Sequence, residues 1–343
     1  MPDKNAGKNL GKDIQESLPS TQAELSRVGI TGLKRIIRLN RGERHDVNAH
    51  TLFFAEFDMF AHLTANRSGV HMSRFIENME DVASGMATES APDMETLAER
   101  MALAVARTQG TTRAEVRIRA QYPMTRNAPV SGASVEDLYT FIGIAISDGL
   151  HTKRAIGVEV NGLTVCPCAQ EMISDGARKA LISAGYTEAQ AAEITSIVPM
   201  ASHNQRGKGT LIIGGETPLG AENLVKLVQN AMSSEIYELL KRPDEVEVVR
   251  KGHSRPRFVE DVVREMIKEV VENLTFLSDD TFVLARQENF ESIHTHNAYA
   301  ERCGMLGDMR RELSAAGRSG DVDACRVMSL EAWLDSVLRG ERS

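Results

Sequence analysis

The sequence predicts an α+β protein in two halves, each running strand–strand–helix–helix–strand–strand. Residues 113–122 and 154–165 alternate apolar and polar side chains with a period of two, as half-exposed strands do. Residues 93–108, 222–240 and 256–270 place apolar side chains three and four apart, as amphipathic helices do. The order of these patterns is roughly the same before and after residue 150, although no residue-level repeat accompanies it.

The elements follow in order. Residues 1–24 are polar and rich in Lys, Asn, Gly and Ser, and read as a flexible arm. Regular patterning begins near Val28. Residues 50–66, rich in Phe and Leu, read as a strand. Ser73 is placed to cap a helix running to about Ala83, and the next helix covers 93–108 through Leu97, Met101 and Val105. In 113–122, Ala114, Val116, Ile118 and Ala120 share one face. Residues 136–150 read equally as strand or helix. In the second half, 154–165, 208–213 and 281–286 are strands. An Ala-rich helical insertion occupies 169–199. Residues 222–240 form a helix that Pro243 is expected to stop, and Pro256 stands at the start of the next. The expected modules are 25–150 and 151–305. A charged helical tail, 306–343, carries the only tryptophan, Trp333, and reads as peripheral.

The 343 residues, 42% of them hydrophobic, suffice for a large core or two modules. A net charge of -8 disfavours a general nucleic-acid or anionic-membrane binder, while leaving room for a local cationic cluster on a small anion. The N-terminus opens polar and charged, and no apolar run reaches the ~20 residues that span a bilayer. Of the four cysteines, Cys166 and Cys168 are too close for an ordinary structural disulfide. These features suggest a soluble, cytoplasmic protein with free thiols.

The chemistry is concentrated in Cys166-Pro167-Cys168, in His203 with its neighbours Asn204, Gln205 and Arg206, and in the run from Glu291 through His294 to His296. Thiolate, imidazole and carboxylate donors hold a divalent metal while leaving a position for water, and spare histidines beside such a site suit proton transfer. Taken residue by residue, this reading ends at a metal-dependent hydrolase acting on a small anionic molecule.

The strings LSRVGITGLK (25–34), GVHMSRF (69–75), TVCPCAQ (164–170), SHNQRG (202–207), YELLKRPDE (237–245), RFVEDVVREM (257–266) and ESIHTHNAYAER (291–302) are more specific. Together they resemble the type IB GTP cyclohydrolase family over roughly residues 24–305. CPCAQ, HNQRG and the insertion before His203 resemble its archaeal branch. The resemblance implies the tunnelling fold (T-fold): two fused ββααββ modules with antiparallel sheets, assembled as a homodimer or larger barrel with interfacial active sites.

It also implies a reaction. GTP takes up water at guanine C8, loses formate and is rebuilt as 7,8-dihydroneopterin 2′,3′-cyclic phosphate with release of diphosphate, for methanopterin-type pterin synthesis. The implied metal ligands are Cys166, His203 and Glu245, with water in the fourth position as the nucleophile. The ion is Fe2+, with Zn2+ or Mn2+ suited to the same donors. Cys168 is read as a small buried packing residue. Glu291 matches the family's purine anchor, accepting from N1–H and the exocyclic amine of guanine. His294, with His296 beside it, would move protons at N7. Arg206, His71 and Arg74 are the best phosphate candidates, ahead of Lys208 and Arg113.

Three alternatives stand beside this reading. A bacterial-type cyclohydrolase would release 7,8-dihydroneopterin triphosphate. A nitrile reductase of the same fold would use a cysteine nucleophile and nicotinamide without metal, and the histidines and carboxylate around Cys166 argue against it. A non-enzymatic protein would close Cys166, Cys168, His203 and His294 around a structural zinc, although a Cys-x-Cys link is tighter than the usual hook.

Overall fold

A computed structural model describes residues 13–40, 50–85, 91–315 and 327–336. The first half of the expected N-terminal arm (residues 1–12), Cys325 and parts of the tail lie outside the described residues. The protein is a mixed α/β structure, and the strand pairs β1–β2, β5–β6, β5–β7, β6–β8 and β8–β9 are antiparallel.

The chain forms two compact units. As far as they are described, Met1–Ile118, Ile144–Arg154 and Asp335–Arg342 make the first, and Arg119–Gly143 and Ala155–Leu334 the second. In chain order the elements begin with β1 (Leu25–Asn40), β2 (His50–Leu63), α1 (Met72–Gly85), α2 (Met94–Gln109), β3 (Ala114–Asn127) and β4 (Ser134–Ser147). They continue through β5 (Thr152–Val165), α3 (Pro167–Ser183), α4 (Glu188–Ile197), β6 (Asn204–Gly214), α5 (Ala221–Ala231), β7 (Ser234–Glu235), α6 (Arg242–Ser254) and α7 (Val259–Asn273). β8 (Phe282–Asn289), β9 (Ala298–Met305), α8 (Leu306–Ala315) and α9 (Leu330–Asp335) complete them.

In the first unit the sheet order is β1–β2–β3. β2 buries every second residue, Phe53 through Phe57, Met59 and Ala61 to Leu63, and turns Glu56 and Asp58 outward. That period of two fixes the register, because a one-residue slip would expose the whole apolar row. α2 packs Leu97, Ala98, Met101, Ala102 and Val105 into the core. Its N-cap is Asp93, whose Oδ1 accepts from Thr96 N–H at 2.8 Å, and Gly110 ends it with φ 60°. α1 begins at Met72, so Ser73 lies inside the first turn and does not cap it. On β3, Glu115 is wholly buried and receives Arg27, Arg113 and Arg117 at 2.7–3.0 Å. Burial raises the Glu115 pKa, but the three guanidinium groups outweigh it and hold the carboxyl below its ordinary value.

In the second unit the order is β3–β4–β5–β6–β8–β9, with β7 on β5. Residues 136–150, read equally as strand or helix, are mostly strand β4. The core gathers Leu211, Leu224, Val228, Val262, Met266, Val270 and Phe282, each burial being worth roughly 1.5–3 kcal/mol. Two expectations are corrected here. The helix expected over 222–240 ends at Ala231, and Pro243 opens α6 instead of stopping α5. Proline lacks an N–H and is preset in φ, so the first helical turn accommodates it. The tail is not peripheral: Trp333 is buried and stacks on Phe282 at 5.1 Å between ring centroids. Gly214 makes room for it, since a Cβ there would lie 2.4 Å from the indole.

Candidate metal and purine site

The site is built by strand register in the second unit. β5 and β6 pair Thr164 with Gln205 and Val165 with Asn204. The next rung joins Cys166 to His203, whose carbonyl accepts from Cys166 N–H at 3.1 Å. The inserted helices α3 and α4 leave and return between these two residues. They separate Cys166 and His203 in sequence while the ladder holds them side by side.

Cys166 is the half-buried N-cap of α3, with Pro167 in the first turn. Its surroundings are fixed on several sides. Ser202 Oγ donates to its carbonyl at 2.6 Å, and Val165 is held by Ser233 Oγ and by Arg257 N–H. α6 approaches through Gly252, where a Cβ would stand 2.9 Å from Leu163 Cδ2. Gln170 Nε2 donates to the carbonyls of Met200 and His253 at 3.1 and 2.8 Å, tying α3 to both neighbouring segments. Cys168 is exposed, contrary to its reading as a buried packing residue. In the first turn of α3 it points away from the core.

β6 and β8 pair Gly207 with Asn289, and Phe290 N–H donates to Arg206 O at 2.9 Å. One step further, Glu291 falls opposite Gln205. Thr164, Gln205 and Glu291 therefore form a row across three chain segments. Gln205 is buried, and its Nε2 faces Thr164 Oγ1 at 3.0 Å and Glu291 Oε1 at 3.4 Å. Two residues earlier on β6's side, His203 Nδ1 lies 3.1 Å from Gln205 Oε1 and 3.8 Å from Glu291 Oε2. The His294 ring meets His203 edge-on at 6.3 Å and stacks on His296 at 5.2 Å, both on the exposed segment between β8 and β9. Gln205 and Ser202 stand in the SHNQRG string with no role implied by it; the row on β6 gives Gln205 its place, and the hydrogen bond to the Cys166 carbonyl gives Ser202 its own.

The remaining candidates lie elsewhere. Glu245 is exposed in the first turn of α6, while its neighbour Asp244 turns inward. Behind Pro243 it is thus Asp244, and not the implied ligand Glu245, that is buried. Arg206 is exposed on β6, and Lys208 lies 3.5 Å from Glu288. In the first unit, Arg74 donates to Thr108 O at 2.8 Å. His71 Nε2 faces Asp13 and Glu16 at 3.4 and 3.7 Å. Arg113 is paired with Glu115 and Asp335. Among the described residues, the one cluster of three potential metal donors within 4.8 Å of each other is Asp13, Glu16 and His71. Glu16 there also pairs with Arg67.

A thiol and an imidazole on one rung suit a soft-to-intermediate divalent ion, while Glu245, exposed at the start of α6, does not join them in a three-donor cluster within 4.8 Å. Cys166 and His203 thus fit a metal as a donor pair.

The chain belongs to the type I GTP cyclohydrolase family. Residues 12–300 match the family described as "Type I GTP cyclohydrolase folE2". It is 37% identical over 312 residues to GTP cyclohydrolase MptA of Methanococcus maripaludis strain C6, covering 88% of this chain and 97% of that protein. It is 36% identical over 318 residues to GTP cyclohydrolase MptA of Methanothermobacter thermautotrophicus, covering 90% and 98%. Among solved structures, the uricase of Arthrobacter globiformis aligns over 81% of this chain and 93% of that one, at 9% identity and a TM-score of 0.48.

Proposed function

We propose that the protein is an MptA-type GTP cyclohydrolase. It converts GTP and water to 7,8-dihydroneopterin 2′,3′-cyclic phosphate, formate and diphosphate for pterin synthesis. The observation that carries this within the site is the rung joining Cys166 to His203 beside the row that ends at Glu291. It supports reading the pair as metal donors and the carboxylate at the end of the row as the purine anchor.

In this reading Cys166, His203 and Glu245 hold one divalent metal, Fe2+ by preference over Zn2+ or Mn2+. When bound, the ion supplies Lewis acidity and makes water a stronger acid. Glu291 accepts from N1–H and the exocyclic amine of guanine, a donor pair that adenine lacks, and so selects the base. Water adds at C8, the imidazole ring opens and formate leaves. His294 delivers a proton at N7, with His296 stacked behind it. Arg206 is the phosphate candidate beside this row, and His71 and Arg74 remain candidates in the first unit. A thiol ligand suits a reducing compartment, in keeping with a cytoplasmic protein. Among the described residues no helix is long and apolar enough to cross a membrane. Two T-fold modules, 25–150 and 151–305, would assemble as a homodimer or a larger barrel.

The test is anaerobic incubation with GTP and Fe2+, following formate and the phosphorylated pterin by mass, with Cys166→Ala and Cys168→Ser in parallel. The expected result is a cyclic-phosphate pterin from the native protein and from Cys168→Ser, and none from Cys166→Ala. A triphosphate pterin would assign the bacterial-type reaction. A folded protein that turns over no GTP with any divalent metal would overturn the proposal.

A further inference from the structure

The buried amide of Gln205 lies between the two functional ends of the site. Glu291, when ionised, only accepts hydrogen bonds, so the amide must turn its NH2 toward it. The same NH2 reaches Thr164 Oγ1, which can accept. The amide orientation is therefore dictated by chemistry and not by convention. Once the NH2 faces Glu291, the carbonyl Oε1 faces His203 Nδ1 at 3.1 Å. A carbonyl oxygen can only accept, so the proton of the neutral imidazole must sit on Nδ1. Glu291 Oε2, 3.8 Å from the same nitrogen, favours the proton there as well. The lone pair is left on Nε2.

We infer that Gln205 is a positioning residue that locks His203 in the Nδ1–H tautomer, presents Nε2 as the metal-binding atom and couples that choice to the carboxylate of Glu291. This rests on the reading of His203 as a ligand. A ligating histidine commonly donates its second ring N–H to an acceptor that fixes the ring's tautomer and orientation. Here the acceptor is an amide whose other end is anchored on the base-binding residue. Any change at Glu291 is thereby transmitted to the ligand through the amide as well as across the 3.8 Å between the carboxylate and His203 Nδ1.

The experiment labels the histidines with 15N in the metal-free full-length protein and reads the His203 tautomer at alkaline pH. His203→Ala assigns the signal. Native protein is expected to show a protonated Nδ1 and a bare Nε2. Gln205→Leu, which keeps the buried volume and removes both functions of the amide, is expected to give a mixture and ~10–100-fold weaker Co2+ binding. Gln205→Glu still accepts from Nδ1–H and is expected to retain the tautomer. Should Gln205→Leu not fold, the near-isosteric Glu291→Gln removes the acceptor-only partner and is expected to produce the same mixture. A merely structural role for Gln205 would move thermal stability in these variants and leave the tautomer unchanged, which would overturn the inference. So would a native His203 protonated on Nε2. If Co2+ binds His203→Ala as tightly as the native protein, the ligand reading fails, and with it the metal part of the inference. The metal-free spectrum decides the tautomer independently.

Discussion

Asp244 and Ser131, 113 residues apart, are joined by two hydrogen bonds: Asp244 accepts from Ser131 N–H at 2.8 Å and from Ser131 Oγ at 2.6 Å. The same carboxylate accepts from Val130 N–H and from Lys241 N–H, the N-cap residue of α6. One buried side chain thus starts a helix and fastens the β3–β4 turn to it.

Asp244 and Glu245 are adjacent carboxylates, one buried and one exposed. Burial opposes the charge of Asp244, but hydrogen bonds from Ser131, Lys241 and Val130 outweigh it and hold its carboxyl well below the usual range. A depressed folded-state pKa means stability that is present above the unfolded value of about 4 and lost as pH falls below it. Asp244→Ala should lower the melting temperature at neutral pH, and the difference from native protein should shrink on acidification below about pH 4. Glu245→Ala, at an exposed position, should shift stability by no more than ~0.5 kcal/mol while weakening Fe2+ or Co2+ binding. Melting curves across pH and a metal titration of both variants check this. Unchanged metal affinity in Glu245→Ala would remove it from the ligand set.

Glu95, in the first unit, titrates in the opposite sense. It is buried on α2, its Oε2 has no hydrogen-bond partner among the described residues, and burial followed by the charge of Asp93 pushes its pKa up to about 7. The folded state then binds a proton more tightly than the unfolded chain. Stability falls as pH rises from about 4.5 through 7 and is flat beyond, a loss of at most ~3 kcal/mol. Glu95→Gln should abolish that slope and be the more stable protein above pH 7. Urea unfolding of both proteins across this pH range measures it; parallel curves would show that Glu95 ionises normally.

Trp333→Ala should cost ~3–5 kcal/mol, the usual penalty for emptying a large aromatic site. The indole fills the space above Gly214 and against Phe282. Gly214→Ala, which pushes a methyl into the same indole, should cost ~1–3 kcal/mol. A denaturation midpoint unchanged in Trp333→Ala would mean that the segment 330–335 contributes nothing to the second unit.

Much of the secondary structure was legible because apolar periodicity is local. β2, α2, β5 and α7 each carry their burial pattern in consecutive residues, and a strand or helix reads its own period. Errors fell where local signals are ambiguous. Pro243 is compatible with stopping one helix or opening another, and only the chain on both sides decides. Cys168 reads as a core residue by type, but in the first turn of α3 its side chain is exposed.

The sequence by itself determined the family, through long motifs scattered along the chain, and it determined which residue types are available for metal and purine binding. It could not decide which of them meet. Cys166 reaches His203, and Gln205 reaches both Thr164 and Glu291, because antiparallel register sets residues from distant segments on the same rung. Asp244 turns inward and Glu245 outward because the donors that satisfy a buried carboxylate lie on a loop 113 residues away. Pairing of this kind depends on how the strands align and where polar groups find partners. No local window of sequence contains that information.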